Sequence, residues 1–228
     1  MKIFAFICTR DANFSSVTEE LVSYLSSIGV FVKLLVNQPS IFKGYKKALE
    51  QTKPDPSDII ILCHDDIELK IPPVTFVSLL SMLKNKKYGF LGPAGTSELG
   101  ENAVWWDQEV WKRGNHKGKV FHINENKKVY ATNYGPYGNV VVLDGVFLAC
   151  RAELLEEIKL DKPENFSGEW DFYDVYYTLQ AHDKGYENHT APFDMIHHSR
   201  GELTGRDSWH HNKQSFIKNN LGRFPITC

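Results

Sequence analysis

Sequence signatures of several common protein classes are absent from this chain. Its 26 Lys and Arg residues are balanced by 28 Asp and Glu, so the formal net charge is −2 and no basic excess is available for a nucleic-acid backbone. No H-E-x-x-H or paired-cysteine motif indicates a zinc site, and no G-x-G-x-x-G follows the first apolar run, which disfavours a nucleotide-cofactor dehydrogenase. The sequence thus excludes nucleic acid as a partner, whereas a small phosphorylated ligand fits.

Cysteines and long apolar runs are also scarce. The four cysteines are widely spaced and form no C-x-x-C pair, which predicts reduced thiols in the core. The apolar start, residues 1–10, is too short to span a bilayer and has neither a basic segment nor a cleavage site of small residues. We therefore expect a soluble, cytoplasmic protein; peripheral membrane association and the oligomeric state stay open.

The first third of the chain alternates between predicted strands and helices. Apolar runs at residues 2–8, 30–36 and 58–63 are predicted strands, and helices are predicted from the capping-box pattern at 16–19 and over 42–51. The uninterrupted run 58–63 is typical of a parallel strand that is buried on both faces. This order of elements predicts an α/β fold.

The rest of the chain is predicted to contain shorter elements and one long loop. Further strands are predicted at 88–91, 120–123, 128–132, 140–143, 146–150 and 193–196, and further helices at 73–84, 152–158, 171–184 and 212–219. The loop, residues 92–118, contains Trp105, Trp106 and Trp111. Loops of this length usually serve as lids or binding loops, so it is the candidate acceptor-side element, although its tryptophans could equally anchor it to the core.

Three polar residues, His64, Asp65 and Asp66, directly follow the predicted buried strand. Ligands of open α/β sheets bind outside the carboxyl ends of the strands, so these side chains are expected to face a cleft. Two carboxylates and an imidazole there suit Mn²⁺ or Mg²⁺, which would neutralise charge on a diphosphate. The alternative is that Asp65 or Asp66 only caps the next turn.

A pair of histidines, His197 and His198, ends the last predicted strand. Imidazole is a reasonable ligand for Mn²⁺ and a poorer one for Mg²⁺. Adjacent residues of a strand face opposite ways, so only one of the two can point into the cleft. The alternative is a solvated pair at the surface.

Two aspartates, Asp171 and Asp174, begin the predicted helix 171–184. Residues three apart lie on one helical face, so both could look into one pocket, and either could take the proton of an acceptor hydroxyl. The alternative is that Asp171 caps the helix and Asp174 complements its dipole.

In this order and spacing the motifs resemble the GT-A superfamily of glycosyltransferases, specifically the family 2-like enzymes, over nearly the whole chain. Residues 4–10 look like the first strand and its uridine-contacting turn. Residues 59–66 look like the strand that leads to the D-x-D metal motif, with His64 in place of the first acid and Asp66 as the last.

Three further segments continue the resemblance. Residues 144–148, followed by Arg151, are similar to the strand that lines the donor-sugar pocket, and residues 173–175 look like the E-D motif, with Tyr173 in place of the first acid. Residues 195–200 resemble the metal-histidine segment of the β-1,4-galactosyltransferases, in which His198 falls at the ligand position and His197 at a non-ligand position.

The resemblance implies a GT-A fold, with a mainly parallel central sheet, flanking helices and a small additional antiparallel sheet. We expect a single domain, 1–228, with a nucleotide-binding half (1–92), an acceptor and catalytic half (93–200) and a C-terminal tail (201–228). The implied reaction is metal-dependent, inverting transfer of a sugar from a nucleotide-diphosphate sugar, with a UDP-sugar favoured. The acceptor would be a hydroxyl of a glycan or other molecule, in glycan or polysaccharide synthesis.

The resemblance also assigns expected roles to individual residues. They are Asp66 and His198 as ligands of Mn²⁺ or Mg²⁺; Asp174, or else Asp171, as the base; Thr9, Arg10, Asp11, Asn37, His64, Asp65, Asp144 and Gly145 as donor contacts; and Trp105 and Trp106 on the acceptor side. Two other functions stay open: a catalytically silent nucleotide-sugar-binding protein, and a nucleotide-sugar hydrolase that uses the same cation.

Overall fold

The elements of the fold are described by a computed structural model that covers residues 1–9, 12–124, 126–199 and 206–228. Its strands are β1 (Ile3–Thr9), β2 (Phe31–Val36), β3 (Ile59–His64), β4 (Ile67–Leu69), β5 (Tyr88–Gly92), β6 (Ala94–Thr96), β7 (Glu98–Leu99), β8 (His116–Ile123), β9 (Val129–Gly135), β10 (Asn139–Val140), β11 (Val142–Leu143), β12 (Phe147–Arg151), β13 (Glu187–Thr190), β14 (Met195–His197) and β15 (Ile226–Thr227). Its helices are α1 (Ser16–Ser27), α2 (Ile41–Thr52), α3 (Pro73–Leu80), α4 (Gln108–Lys112), α5 (Ala152–Glu157), α6 (Tyr173–Asp183) and α7 (Asp207–Asn219), with a short 3-10 helix at Ser81–Lys84.

The central sheet has seven strands in the order β10-β13-β5-β12-β3-β1-β2. Strands β1, β2 and β3 are parallel, and β13 is parallel to β5. Because β12 is antiparallel to both β3 and β5, these two run in the same direction. Five of the seven strands therefore share one direction, which confirms the predicted α/β fold with a mainly parallel sheet.

A second sheet has the order β11-β6-β8-β14-β4, and β9 pairs with β8. Its pairs are antiparallel except for β8 with β14. Strand β4 begins only three residues after β3 ends, so the link formed by Asp65 and Asp66 passes from the central sheet to the second one. The additional antiparallel sheet is thus confirmed, and the predicted acidic motif lies at the junction of the two sheets.

The buried strand β3 shows why the apolar run is continuous. Every residue from Ile59 to Cys63 has an exposed fraction of 0%. Ile60 and Leu62 belong to the core cluster shared with α2 and α6, whereas Ile59, Ile61 and Cys63 belong to the cluster shared with α1 and α3. Helices cover both faces of the strand, so both of its alternating sets of side chains must be apolar.

Serine hydroxyls set the starts of the first two helices: Ser15 for α1 and Ser40 for α2. Ser15 is the N-cap of α1, and its Oγ accepts the Thr18 backbone N–H at 3.1 Å. The capping-box pattern at 16–19 therefore locates the helix correctly, but the hydroxyl that caps it lies one residue earlier.

Among the described residues, no helix is both long and apolar enough to cross a membrane.

The prediction of a long irregular loop over residues 92–118 is wrong. The segment contains β6, β7, α4 and the first residues of β8. Elements of two to five residues are too short to show a periodic pattern, and the pairing of β6 with β8 and β11 is not visible in the local sequence. Trp105 is 4% exposed and packs in the core, which leaves it without the exposed ring face that an acceptor contact needs.

Arg151, at the end of β12, is a charged residue that is 4% exposed. Its guanidinium pairs with the Glu153 carboxylate at 2.6 Å and donates to backbone carbonyl oxygens of the turn before β5. The acceptors are Leu83 at 2.8 Å, Lys86 at 3.2 Å, Asn85 at 3.3 Å and Tyr88 at 3.3 Å. Arg151 therefore connects the end of β12 to four backbone carbonyl groups around this turn.

Substitution Arg151→Met should lower the free energy of unfolding by about 3 kcal/mol, because it removes a buried guanidinium that is hydrogen-bonded to several backbone carbonyls and paired with Glu153. Urea unfolding followed by circular dichroism measures this loss. As a control, Lys46→Met removes an exposed ion pair to Asp161 and should cost less than about 1 kcal/mol. Equal losses in the two variants would show that the Arg151 contacts do not stabilise the fold.

Candidate metal and nucleotide site

Three metal-ligand side chains meet where the chain passes from β3 to β4. His64 ends β3, Asp66 lies in the link, and His197 ends β14, where it pairs with Ile67 of β4. One nitrogen of each imidazole and one oxygen of Asp66 lie within 4.8 Å of one another. One strand end of the central sheet, the β3–β4 link and one strand end of the second sheet thus come together. We call these three residues the His-Asp-His cluster: His64, Asp66 and His197.

Within the His-Asp-His cluster, His197 and Asp66 face each other at a distance longer than that of an ordinary hydrogen bond. His197 Nε2 lies 3.4 Å from Asp66 Oδ1, and both buried atoms lack a hydrogen-bond partner among the described residues. His64 Nδ1 lies 3.8 Å from the same oxygen. Buried polar atoms are nearly always paired, and a divalent cation would satisfy this set, so the three residues fit a metal ion.

Tyr173 determines which nitrogen of His64 faces the cluster. The Tyr173 hydroxyl donates to the Gly145 carbonyl at 2.7 Å, so its oxygen is left to accept from His64 Nε2, 3.0 Å away. Nε2 of His64 therefore carries the proton, and in the neutral ring the lone pair of Nδ1 points toward Asp66. A hydrogen bond from the outer nitrogen is typical of metal-binding histidines because it fixes the tautomer and the ring orientation.

The pKa values in the cluster show how its charges are coupled. Burial opposes ionisation of Asp66, but the close contact with His197 and the charge of His64 outweigh it and hold the pKa of Asp66 below its ordinary value. Burial likewise opposes protonation of His197, but Asp66 and Asp144 outweigh it and raise the pKa of His197. Both shifts favour the ion pair between protonated His197 and Asp66, so a cation would compete with the proton for this pair.

The structure brings His197 to Asp66, in contrast to the expectation that His198 is the ligand. His198 Nε2 lies 3.5 Å from Glu68 Oε2, and the His198 backbone N–H donates to the Asp66 carbonyl at 2.9 Å. Adjacent side chains at a strand end point to opposite sides, so only one imidazole reaches the cluster. Which one does so depends on the register of β14 against β4, and the local sequence does not contain that information.

Asp174 is connected to the cluster by hydrogen bonds. It lies in the first turn of α6, and its Oδ2 accepts the Gly145 N–H at 3.1 Å, while the Gly145 carbonyl accepts from Tyr173. A Cβ atom at position 145 would collide with the Tyr173 hydroxyl and come within 2.8 Å of Asp174 Cβ. Glycine therefore allows the close approach that joins Asp174, Tyr173 and His64 in one network.

The environment of Asp174 suits it to proton transfer. Burial, followed by the nearby Asp144 carboxylate, raises the pKa of Asp174 to about 7. Burial also raises the pKa of Asp144. A general base is most effective when its pKa lies near the working pH, so Asp174 has the properties of one.

Asp171, the alternative base, is occupied by structural contacts. Its side chain is buried, Ser208 Oγ donates to its Oδ2 at 2.8 Å, and the Arg206 guanidinium lies 3.2 Å from its Oδ1. The Asn212 amide donates to its backbone carbonyl at 3.1 Å. These contacts attach α7 to the start of α6, so the geometry favours Asp174 over Asp171 as the base.

A cleft with a volume of about 350 Å³ opens at the carboxyl ends of β1 and β2. Its lining consists of Thr9, Asn37, Gln38, Trp170 and Arg206. The structure thus brings together the expected donor contacts Thr9 and Asn37, whose backbones are linked by a 3.0 Å hydrogen bond. Sequence reasoning missed Gln38, Trp170 and Arg206 as lining residues. Of these three, only Trp170 had a signal in the sequence, because it lies within the acidic motif.

The other expected donor contacts are placed in different ways. Arg10 and Asp11 lie outside the described residues. Asp65 accepts the Thr18 hydroxyl at its backbone carbonyl, 3.0 Å away, which attaches the β3–β4 link to α1. The Asp144 carboxylate helps to raise the pKa of both His197 and Asp174, so it lies near both parts of the site.

The mainly parallel sheet, the second antiparallel sheet and an acidic site at the strand ends define the α/β class of GT-A folds. The sequence shows which family within that class. Residues 18–219 match the Glycosyltransferase like family, and the chain belongs to that family. Among curated protein sequences, none matches the chain.

Solved structures similar to this chain share few identical residues with it. A197 from STIV has 14% identity and a TM-score of 0.46, covering 84% of this chain and 82% of A197. A glycosyltransferase involved in the glycosylation of the major capsid of PBCV-1 has 8% identity and a TM-score of 0.44, covering 96% of this chain and 100% of that one. A CMP:2-keto-3-deoxy-manno-octonic acid synthetase complexed with CTP has 10% identity and a TM-score of 0.40, covering 97% and 100%.

Substitution His197→Gln should weaken Mn²⁺ binding at least about tenfold, because even residues that only orient metal ligands contribute this much to affinity. Isothermal titration calorimetry with MnCl₂ measures the change, and circular dichroism without metal checks that the fold is retained. The neighbouring variant His198→Gln is the matched control and should bind Mn²⁺ nearly as well as the unchanged protein. A larger loss in His198→Gln than in His197→Gln would assign the ligand role to His198.

Proposed function

We propose that the protein transfers a sugar, with inversion and with the help of a divalent cation, from a nucleotide-diphosphate sugar to an acceptor hydroxyl in glycan or polysaccharide synthesis. The observation that carries this proposal is the hydrogen-bonded path from the His-Asp-His cluster to Asp174 through Tyr173 and Gly145. In an inverting sugar transfer, the cation neutralises charge on the leaving diphosphate, and the base takes the proton of the attacking hydroxyl on the other side of the anomeric carbon. The two groups must therefore lie within one site, and the short path between them supports this.

His64, Asp66 and His197 would hold the cation. When bound, the ion supplies positive charge that stabilises the departing diphosphate. Two imidazoles and one carboxylate favour Mn²⁺, since Mg²⁺ prefers oxygen ligands. In this proposal His64 is a metal ligand as well as a neighbour of the donor, and His197 takes the role expected of His198.

The donor nucleoside would occupy the cleft at the ends of β1 and β2. Trp170 offers an aromatic ring on which the nucleobase can stack, and Arg206 offers a guanidinium for a phosphate oxygen. A UDP-sugar remains the favoured donor. In the proposed single domain, residues 1–92 thus supply most nucleotide contacts, residues 93–200 supply the base, and Arg206 brings the tail 201–228 into the donor site.

Asp174 would accept the proton of the acceptor hydroxyl as that oxygen forms its bond to the anomeric carbon. The bond from this carbon to the diphosphate oxygen breaks on the opposite side, and the electron pair leaves with the diphosphate. Attack opposite to the leaving group inverts the configuration. The pKa of about 7 means that Asp174 is partly ionised at neutral pH, so the transfer rate should rise as the pH increases through this value.

A nucleotide-sugar donor should raise the melting temperature in a Mn²⁺-dependent way, because a ligand that binds only the folded state stabilises it. At a hundred times its dissociation constant, the gain is about 2.7 kcal/mol, or roughly 5–10 °C for a chain of this size. UDP-, GDP- and dTDP-sugars can be compared by differential scanning fluorimetry.

In the same assay, Asp66→Asn should remove the Mn²⁺-dependent part of the shift. If no nucleotide sugar raises the melting temperature when Mn²⁺ is present, the donor proposal is wrong. Product analysis with donor alone then distinguishes transfer from hydrolysis, because a hydrolase releases free sugar at its full rate without an acceptor.

Substitution Asp174→Asn should reduce transfer at least about a hundredfold and make the protein more stable above pH 7. The folded-state pKa of about 7 lies above the ordinary value of 3.8, so between these values the folded state binds a proton that the unfolded state releases. The stability of the unchanged protein therefore falls as the pH rises through this window. Asparagine cannot ionise, so the variant escapes this loss.

Urea unfolding from pH 4 to pH 8 measures the difference between the two proteins. The gap should open as the pH rises and reach at least about 1 kcal/mol at pH 8. Asp161→Asn, at a carboxylate that is 73% exposed, is the matched control and should show no such gap. An Asp174→Asn variant that keeps full activity would exclude Asp174 as the base.

A further inference from the structure

A row of side chains crosses the second sheet beside the His-Asp-His cluster. His197 on β14 pairs with His122 on β8, and His122 pairs with Tyr130 on β9. Side chains of directly paired residues point to the same face of a sheet. His122 and Tyr130 therefore lie on the face where His197 meets Asp66.

The rings of this row are close together and lead from the interior to solvent. Ring centroids are 5.5 Å apart for His64 and His197, and 6.0 Å apart for His197 and His122. His122 and Tyr130 follow at 5.5 Å, and their planes differ by 32°, the smallest angle in the row. His197 is 9% exposed, His122 is half-buried and Tyr130 is 49% exposed. Two ring contacts thus connect the cluster to an open aromatic surface.

The exposed ring of Tyr130 is not explained by folding. Within the described residues, Tyr130 belongs to neither of the two buried clusters and is not among the partly buried side chains packed against them. An apolar surface that adjoins a polar site is typical of a ligand-binding face.

The chemistry of this face suits a sugar ring. A pyranose has C–H groups on its two faces and hydroxyls around its edge, so it can cover an aromatic ring while its hydroxyls reach polar groups. Tyrosine combines an apolar ring with a hydroxyl, and imidazole can donate and accept hydrogen bonds. His122 and Tyr130 offer both kinds of contact to one ligand.

We propose that His122 and Tyr130 form the binding platform for a carbohydrate acceptor, whose reactive hydroxyl extends from the platform into the site that the His-Asp-His cluster shares with Asp174. This inference rests on the proposed function, since only a transfer reaction needs an acceptor beside that cluster. The platform replaces the acceptor contacts expected from the sequence. Trp105 is buried, and Trp106 packs on Trp209 with ring centroids 5.9 Å apart.

Saturation-transfer NMR of the full chain tests the platform. The probes are the methyl pyranosides of glucose, galactose, mannose and N-acetylglucosamine, together with UDP and the diamagnetic ion Mg²⁺. At least one pyranoside should receive saturation from the unchanged protein. Tyr130→Ala should reduce this signal at least about fivefold because it removes the stacking ring, whereas Tyr130→Phe should retain most of it. Tyr137→Ala, at another exposed tyrosine, is the matched control and should keep the full signal.

The UDP resonances in the same samples separate the two proposals. If UDP binds but no pyranoside does, or if Tyr130→Ala binds the pyranoside as well as the unchanged protein does, the platform is wrong and the donor proposal stands. If pyranoside binding depends on Tyr130 while neither UDP nor GDP or dTDP, added in its place, binds, the platform stands and the donor proposal is wrong.

Discussion

The hydroxyl of Tyr173 is the single group on which the geometry of the site depends. It donates to Gly145 and accepts from His64, so it connects the start of α6 with the segment before β12 and with the end of β3. Burial raises the pKa of Tyr173 well above its ordinary value, so the hydroxyl keeps its proton at physiological pH. The Tyr173 hydroxyl thereby sets the orientation of the His64 ring and the position of Gly145. The Gly145 N–H in turn donates to the Asp174 carboxylate and holds it in place.

Local pattern was sufficient to predict the parts of the fold whose causes are local. The run Ile59–Cys63 is apolar throughout because helices cover both faces of β3. An unbroken apolar run indicates this kind of burial without knowledge of the rest of the chain. The position of Asp66 at the carboxyl end of this strand follows from the same pattern. Strands β8, β9, β11 and β14 of the second sheet were predicted at least in part, but β4 and β6 were not, because each has only three residues and β6 is paired with strands far away in the chain.

The same distinction applies to the candidate site. Asp66 and Asp174 were predictable as candidates because each begins or follows a clear element. The choice between His197 and His198 was not, because it depends on how β14 is aligned with β4. Trp170 and Arg206 meet Thr9 only after the chain has folded back from its C-terminal part. Residues that share a cleft through such long-range packing leave no common signal in the sequence.

The passage of the chain from β3 to β4 has a mechanical consequence. His64 ends a strand of the central sheet, whereas His197 ends a strand of the second sheet. An ion held by both imidazoles would join the two sheets at this point, beside the covalent link formed by Asp65 and Asp66. Binding of the ion would then make the contact between the central sheet and the second sheet more rigid, and its release would make that contact less rigid.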